Sequence, residues 1–137
     1  FPKALMEDGN YEFSFSGLKS AVLNYLNAMK MKRIEIPKAD VAASFQKAVV
    51  EVLVKKTIEA VETAGRDTLV LAGGVAANHA LVERLQQAAD ERGIRFRRPS
   101  QKLCTDNAAM IACRGYYQSL NGDFADVSLN AVPGLRL

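Results

Sequence analysis

Two short segments carry the residue types best suited to chemistry: Gly73-Gly74-Val75-Ala76-Ala77-Asn78 and Cys104-Thr105-Asp106-Asn107. The apolar run from Thr68 to Ala72 reads as a buried strand, the glycine pair lets the backbone turn sharply, and Asn78 stands where a helix N-cap belongs. Missing side chains at Gly73 and Gly74 would let a ligand approach the main chain, and the helix start beyond offers unpaired N–H groups to phosphate or ribose oxygens. The second segment repeats the logic with a carboxylate. Asp106, placed to cap a helix running toward Gln118, could hold a cation as well as N–H groups. Each segment has a plainer reading too. Gly-Gly before a helix often serves packing alone, and the pair matches neither GxGxxG nor a Walker loop. An aspartate at a helix start is commonly only a cap, a role worth about 1 kcal/mol.

The surrounding elements must position these corners. Tyr11 to Ser16 alternates aromatic and polar residues, the signature of a half-buried strand that Gly17 ends. From Leu18 the pattern is helical, with Leu18, Val22, Tyr25 or Leu26, and Met29 on one face and Lys30, Lys32 and Arg33 at the negative pole of the dipole. Asp40 is placed to cap a long helix that presents Val41, Phe45, Val49, Val52 and the Lys56 stem on one face and stops at Gly65. The helix after Asn78 should bury Leu81, Leu85 and Ala88 or Ala89 and end at Gly93, and Ile94 to Arg97 reads as a short strand with alternating faces. A last helix follows Asp106 and closes at Asn121-Gly122; the tail from Phe124 to Leu137 carries weak signals. The result is a helix-rich α/β pattern. Ligands in such folds sit beyond the carboxyl ends of strands, where Gly73-Gly74 and the loop before Asp106 both fall.

The 137 residues suit one domain, spanning 1–137, with enough apolar content to bury a core without a metal or disulfide staple. Net charge is +3, with cations gathered at Arg92, Arg95, Arg97, Arg98 and Lys102 and again at Lys30, Lys32 and Arg33. Such a stripe suits an RNA-facing surface or a guarded edge strand. The two cysteines form no CxxC, so a reducing, cytoplasmic setting is expected; Cys113 reads as a core residue and Cys104 as partly exposed. No apolar stretch approaches the roughly 20 residues that span a bilayer. The opening at Phe1 reads as a loop entering a domain already under way, and so as a piece of a longer protein.

Three blocks carry a resemblance to a known family. Phe13-Ser14-Phe15-Ser16-Gly17-Leu18-Lys19, Ala72-Gly73-Gly74-Val75-Ala76-Ala77-Asn78 and Cys104-Thr105-Asp106-Asn107-Ala108-Ala109-Met110-Ile111 resemble, in order and spacing, the C-terminal lobe of the TsaD family, also called Gcp or YgjD. The resemblance implies the second lobe of an actin-like (ASKHA), two-lobed ATPase fold. It implies transfer of the threonylcarbamoyl group of threonylcarbamoyl-adenylate to N6 of the adenosine beside the anticodon, in tRNAs reading codons that start with A. The implied partners are TsaB and TsaE. Asn78 matches the asparagine that contacts ATP or the adenylate, with Gly73 and Gly74 giving backbone access, and Asp106 matches the aspartate that binds an iron or zinc ion. The family's other metal ligands lie in an HxxxH segment of the first lobe. Here the only histidine is His79, at a helix start, and the first lobe's phosphate loop is also absent, so the chain alone is expected to be inactive. No general base is assigned.

Three other functions compete, one of them a sugar-kinase lobe of the same superfamily, against which the Cys104 to Asn107 block argues by resemblance. A metal-dependent glycoprotein endopeptidase, the family's older description, needs a metal-activated water and a base, and the H-E-x-x-H pattern is missing. A noncatalytic actin-like module would instead use the long helix from Asp40 to Ala64 to dock a partner.

Overall fold

A computed structural model describes residues 1–2 and 10–134. Most of the opening loop and the last three residues of the tail, both named above, lie outside the described residues. Four helices and two strands follow in the order α1 (Ser16–Met31), α2 (Lys38–Thr63), β1 (Thr68–Val70), α3 (His79–Asp90), β2 (Arg95–Arg97) and α4 (Ala108–Leu120).

The expected strand at Tyr11 to Ser16 does not form. Phe13 makes a single bridge, α1 already begins at Ser16, and Gly17 lies within its first turn. The reason is local: the Ser14 hydroxyl accepts the Ser16 backbone N–H at 3.3 Å, which turns the chain before any strand can pair. Beyond that start the helical stripe holds, with Leu18 buried and Val22, Leu26 and Met29 half-buried, while Tyr25 is exposed. Asp40 is not the cap of α2. Pro37 takes that position, its carbonyl accepting Val41 N–H at 3.0 Å, and Asp40 sits in the first turn, where its charge suits the positive pole.

All four helices stop in the same way. A left-handed residue follows the cap directly at Arg33, Gly65 and Gly122 and one residue later at Gly93, and two backbone bonds close each end, such as Gly65 N–H to Glu62 and Arg66 N–H to Val61. Glycine takes this conformation freely, which is why three of the four ends were readable from sequence.

The core joins α2, α3 and β2. Val50, Ile58 and Val61 of α2 pack with Leu81, Leu85 and Ala89 of α3, and with Ile94 and Phe96. Lys56 is also buried, and its ammonium donates to the Asn10 carbonyl at 2.5 Å, so the stem fills an apolar face while the head finds an oxygen. The strands are parallel and in register, Thr68 with Arg95, Leu69 with Phe96 and Val70 with Arg97, and α3 makes the crossover between them. Leu69 and Phe96 therefore share the face that packs on the helices. Val70 lies on the other face and is 66% exposed, which corrects the expectation of a fully buried strand: among the described residues the sheet is covered on one side only.

α4 contributes no buried residue, and Met110, Ile111, Tyr116 and Tyr117 are exposed on it. Both cysteines reverse their expected places. Cys113, on α4, is exposed, and Cys104 is buried with its thiol directed at the Ser100 carbonyl. The packing yields a test by urea unfolding of this chain. Leu85→Ala should lose about 2 to 5 kcal/mol, whereas Ile111→Ala should change stability by less than about 0.5 kcal/mol; equal losses would contradict the assignment of the core.

Candidate functional site

The first corner is built by backbone geometry. After β1 the chain reaches Gly73 at φ +87°, a conformation that strains any residue with a side chain, so the glycine is required there. Gly74 has no such need, and a Cβ placed on it would meet nothing within 4 Å among the described residues. Open space rather than close packing borders this main chain. Instead of passing straight into a helix, residues Gly74–Ala77 form one 3-10 turn, in which Gly73 and Val75 carbonyls accept Ala76 and Asn78 N–H groups at 3.0 Å each.

Asn78 caps α3 as its sequence position suggested. Its Oδ1 accepts Leu81 N–H at 3.0 Å, and its Nδ2 donates to Gln46 Oε1 at 3.3 Å. Gln46 escaped the sequence reading. The signal that could have found it is its place on α2 one turn before the core residue Val50, on the side facing α3. His79, next in the chain, is exposed at the first position of α3.

The second corner corrects the assignment of Asp106. Asn107, not Asp106, caps α4: Asn107 Oδ1 accepts Met110 N–H at 2.9 Å while its Nδ2 donates to the Thr105 carbonyl at 2.9 Å. The extended backbone of Asn107 (φ −151°, ψ 152°) brings its own side chain to the helix start and leaves Asp106 one residue outside. Asp106 is exposed and makes no hydrogen bond or ion pair among the described residues, so its carboxylate is not spent on the helix. Among the described residues no three of His, Cys, Asp and Glu come together to hold a metal ion. The residues present fit a metal only in part, Asp106 offering a single ligand.

Because β1 and β2 are parallel, both corners leave the sheet from its carboxyl edge: Gly73-Gly74 after β1, and the Arg98 to Asp106 loop after β2. The cation cluster divides at this edge. Arg92 pairs with Glu62 at 2.8 Å and Arg95 with Asp67 at 2.7 Å. The Thr68 hydroxyl and then the Arg95 guanidinium hold the Asp67 carboxyl below its ordinary range. Arg97, Arg98 and Lys102, at or past the end of β2, have no ion pair among the described residues.

The model of the TsaD family, described as tRNA N6-adenosine threonylcarbamoyltransferase, matches residues 1–113, a span that contains both corners. The chain belongs to the TsaD family. Proteins named tRNA N6-adenosine threonylcarbamoyltransferase from Desulfitobacterium hafniense, Clostridioides difficile and Moorella thermoacetica are 58%, 54% and 53% identical to it across all 137 residues. The chain spans 40% of the length of each of these relatives. Each TsaD block quoted above now has a place: the first opens α1, the second forms the Gly73 corner and the third runs into α4.

The two caps can be separated by substitution. Asn107→Ala should cost about 1 kcal/mol and loosen the start of α4 in amide exchange. Asp106→Ala should leave stability within about 0.5 kcal/mol; a larger loss at Asp106 than at Asn107 would restore the aspartate as the cap.

Proposed function

We propose that this chain is the nucleotide-facing part of a tRNA threonylcarbamoyltransferase, acting within the longer protein that its relatives represent. The observation that carries the proposal is the shared carboxyl edge of β1 and β2, from which an amide-tipped corner and a carboxylate-tipped corner both leave, in a chain of the TsaD family. In this reading Gly73 and Gly74 admit the ligand to backbone N–H groups. Asn78, already oriented by Leu81 and Gln46, contacts ATP or threonylcarbamoyl-adenylate. Its amide retains one N–H and one oxygen lone pair for that purpose. The fold of the whole protein would be the two-lobed actin-like ATPase architecture, with this chain as the second lobe.

Transfer requires N6 of the tRNA adenosine to bond to the carbamoyl carbon while that carbon's bond to the phosphate oxygen breaks. AMP departs and a proton leaves N6. The chain's contribution is to hold the adenylate so that its carbonyl meets the incoming amine, and positioning of this kind supplies much of a two-substrate rate. Asp106 would give one ligand to an iron or zinc ion, whose other ligands would come from an HxxxH segment of the first lobe. Such an ion, when bound, polarises a carbonyl or neutralises a phosphate. Arg97, Arg98 and Lys102 are available for the tRNA backbone at the same edge. TsaB and TsaE are the partners proposed for the full-length protein. Among the described residues no helix is long and apolar enough to cross a membrane, and a tRNA substrate suits a cytoplasmic site of action.

The proposal is tested in the full-length protein assayed with its partners. Asn78→Ala should weaken adenylate binding by about 1 to 3 kcal/mol, the cost of leaving a polar group of the bound ligand unpaired. Asp106→Ala should lower bound metal and transfer activity together. Unchanged adenylate affinity in the first variant, or unchanged metal content in the second, would remove the corresponding assignment.

A further inference from the structure

The side chain of Asn78 is tied at both ends, and only one end belongs to its own helix. The Leu81 N–H can meet only the amide oxygen, which fixes Oδ1 toward α3 and turns Nδ2 outward. That nitrogen donates to Gln46 Oε1 at 3.3 Å, across 32 positions of sequence and from a different helix. The backbone of Gln46 is held firmly, because Ala48 and Val50 just beyond it on α2 are buried and Val50 packs with Leu81 and Leu85. Its side chain is exposed and borders a cavity of about 480 Å³ shared with Val50, Ala80 and Arg84. Among the described residues no packing fixes the Gln46 carboxamide on that side, and its bond to Asn78 is the contact that orients it.

The geometry points to Gln46 as a positioning residue that selects the rotamer of the Asn78 amide and thereby sets how tightly the adenylate is held. The inference rests on the reading of Asn78 as an adenylate contact. The helix cap alone constrains Oδ1 but leaves the plane of the amide free to tilt about that bond; a second anchor on Nδ2 removes the freedom. With both anchors made, the remaining N–H and lone pair of Asn78 lie in a defined plane, suited to a ligand group that both donates and accepts, such as a ribose hydroxyl. Holding that plane before the ligand arrives reduces the ordering cost of binding. Gln46 touches no substrate in this arrangement and acts only through Asn78.

The test uses the full-length protein with its partners, tRNA and threonylcarbamoyl-adenylate. Gln46→Leu, which keeps the bulk and removes the acceptor, should raise the KM for the adenylate by about three- to tenfold, the range expected for one neutral hydrogen bond, with kcat held within about twofold. Gln46→Ala removes the same acceptor without the bulk and should behave alike. In an Asn78→Ala background, Gln46→Leu should add no further increase, since its only route to the ligand is gone. An increase that is instead additive with Asn78→Ala, or an unchanged KM in both Gln46 variants, overturns the inference while the role of Asn78 stands. An unchanged KM in Asn78→Ala alone removes the adenylate reading, and this inference with it.

Discussion

Parallel strands end on the same side of their sheet, and that constraint sets where the two corners of this chain begin. The pairing of β1 with β2 is short, yet its direction is fixed by the α3 crossover and by the burial of Leu69 and Phe96 on one face. A one-residue slip would send Phe96 outward and an arginine into the core, so the register resists change. Once it is set, the glycine corner and the Asp106 loop both leave at the carboxyl edge. Both corners therefore start from the same border of the sheet, Asp106 nine residues beyond the end of β2.

Rigidity at that border comes from α2 and α3. Leu81 and Leu85 place the start of α3 against Val50 and Ile58, so the Asn78 cap is held by the main core rather than by a loose loop. The Asp106 corner is supported differently. Cys104 is buried beside it, but α4 beyond buries nothing among the described residues. One corner is thus anchored in the core and the other stands on a helix whose apolar residues are exposed among the described residues.

Where a residue's role follows from its own backbone needs, the sequence made it legible. Glycines that end helices, the Asn78 cap, the stripe of Leu81 and Leu85 and the alternation of Arg95, Phe96 and Arg97 were all readable in this way. The two misplaced caps share one physical cause, competition between neighbours for a single structural position. Asp106 and Asn107 are both competent caps, and only the extended backbone at Asn107 decides between them. Pro37 displaces Asp40 in the same manner, and the Ser14 hydroxyl turns a segment whose alternation suggested a strand. The cysteines depart from expectation because burial belongs to the packed fold and not to composition: an alanine-rich helix looks like core, yet no described residue buries it. Gln46 is harder to read for a related reason, since its partner lies on another helix and only its place one turn before Val50 on α2 marks it.

The most direct test of the shared border is an experimental structure of the full-length protein with threonylcarbamoyl-adenylate bound. The account predicts the Asn78 amide within hydrogen-bonding distance of the adenylate and the Asp106 carboxylate lining the same cleft. An adenylate bound away from Asn78, or the two side chains opening onto opposite faces of the molecule, would contradict it.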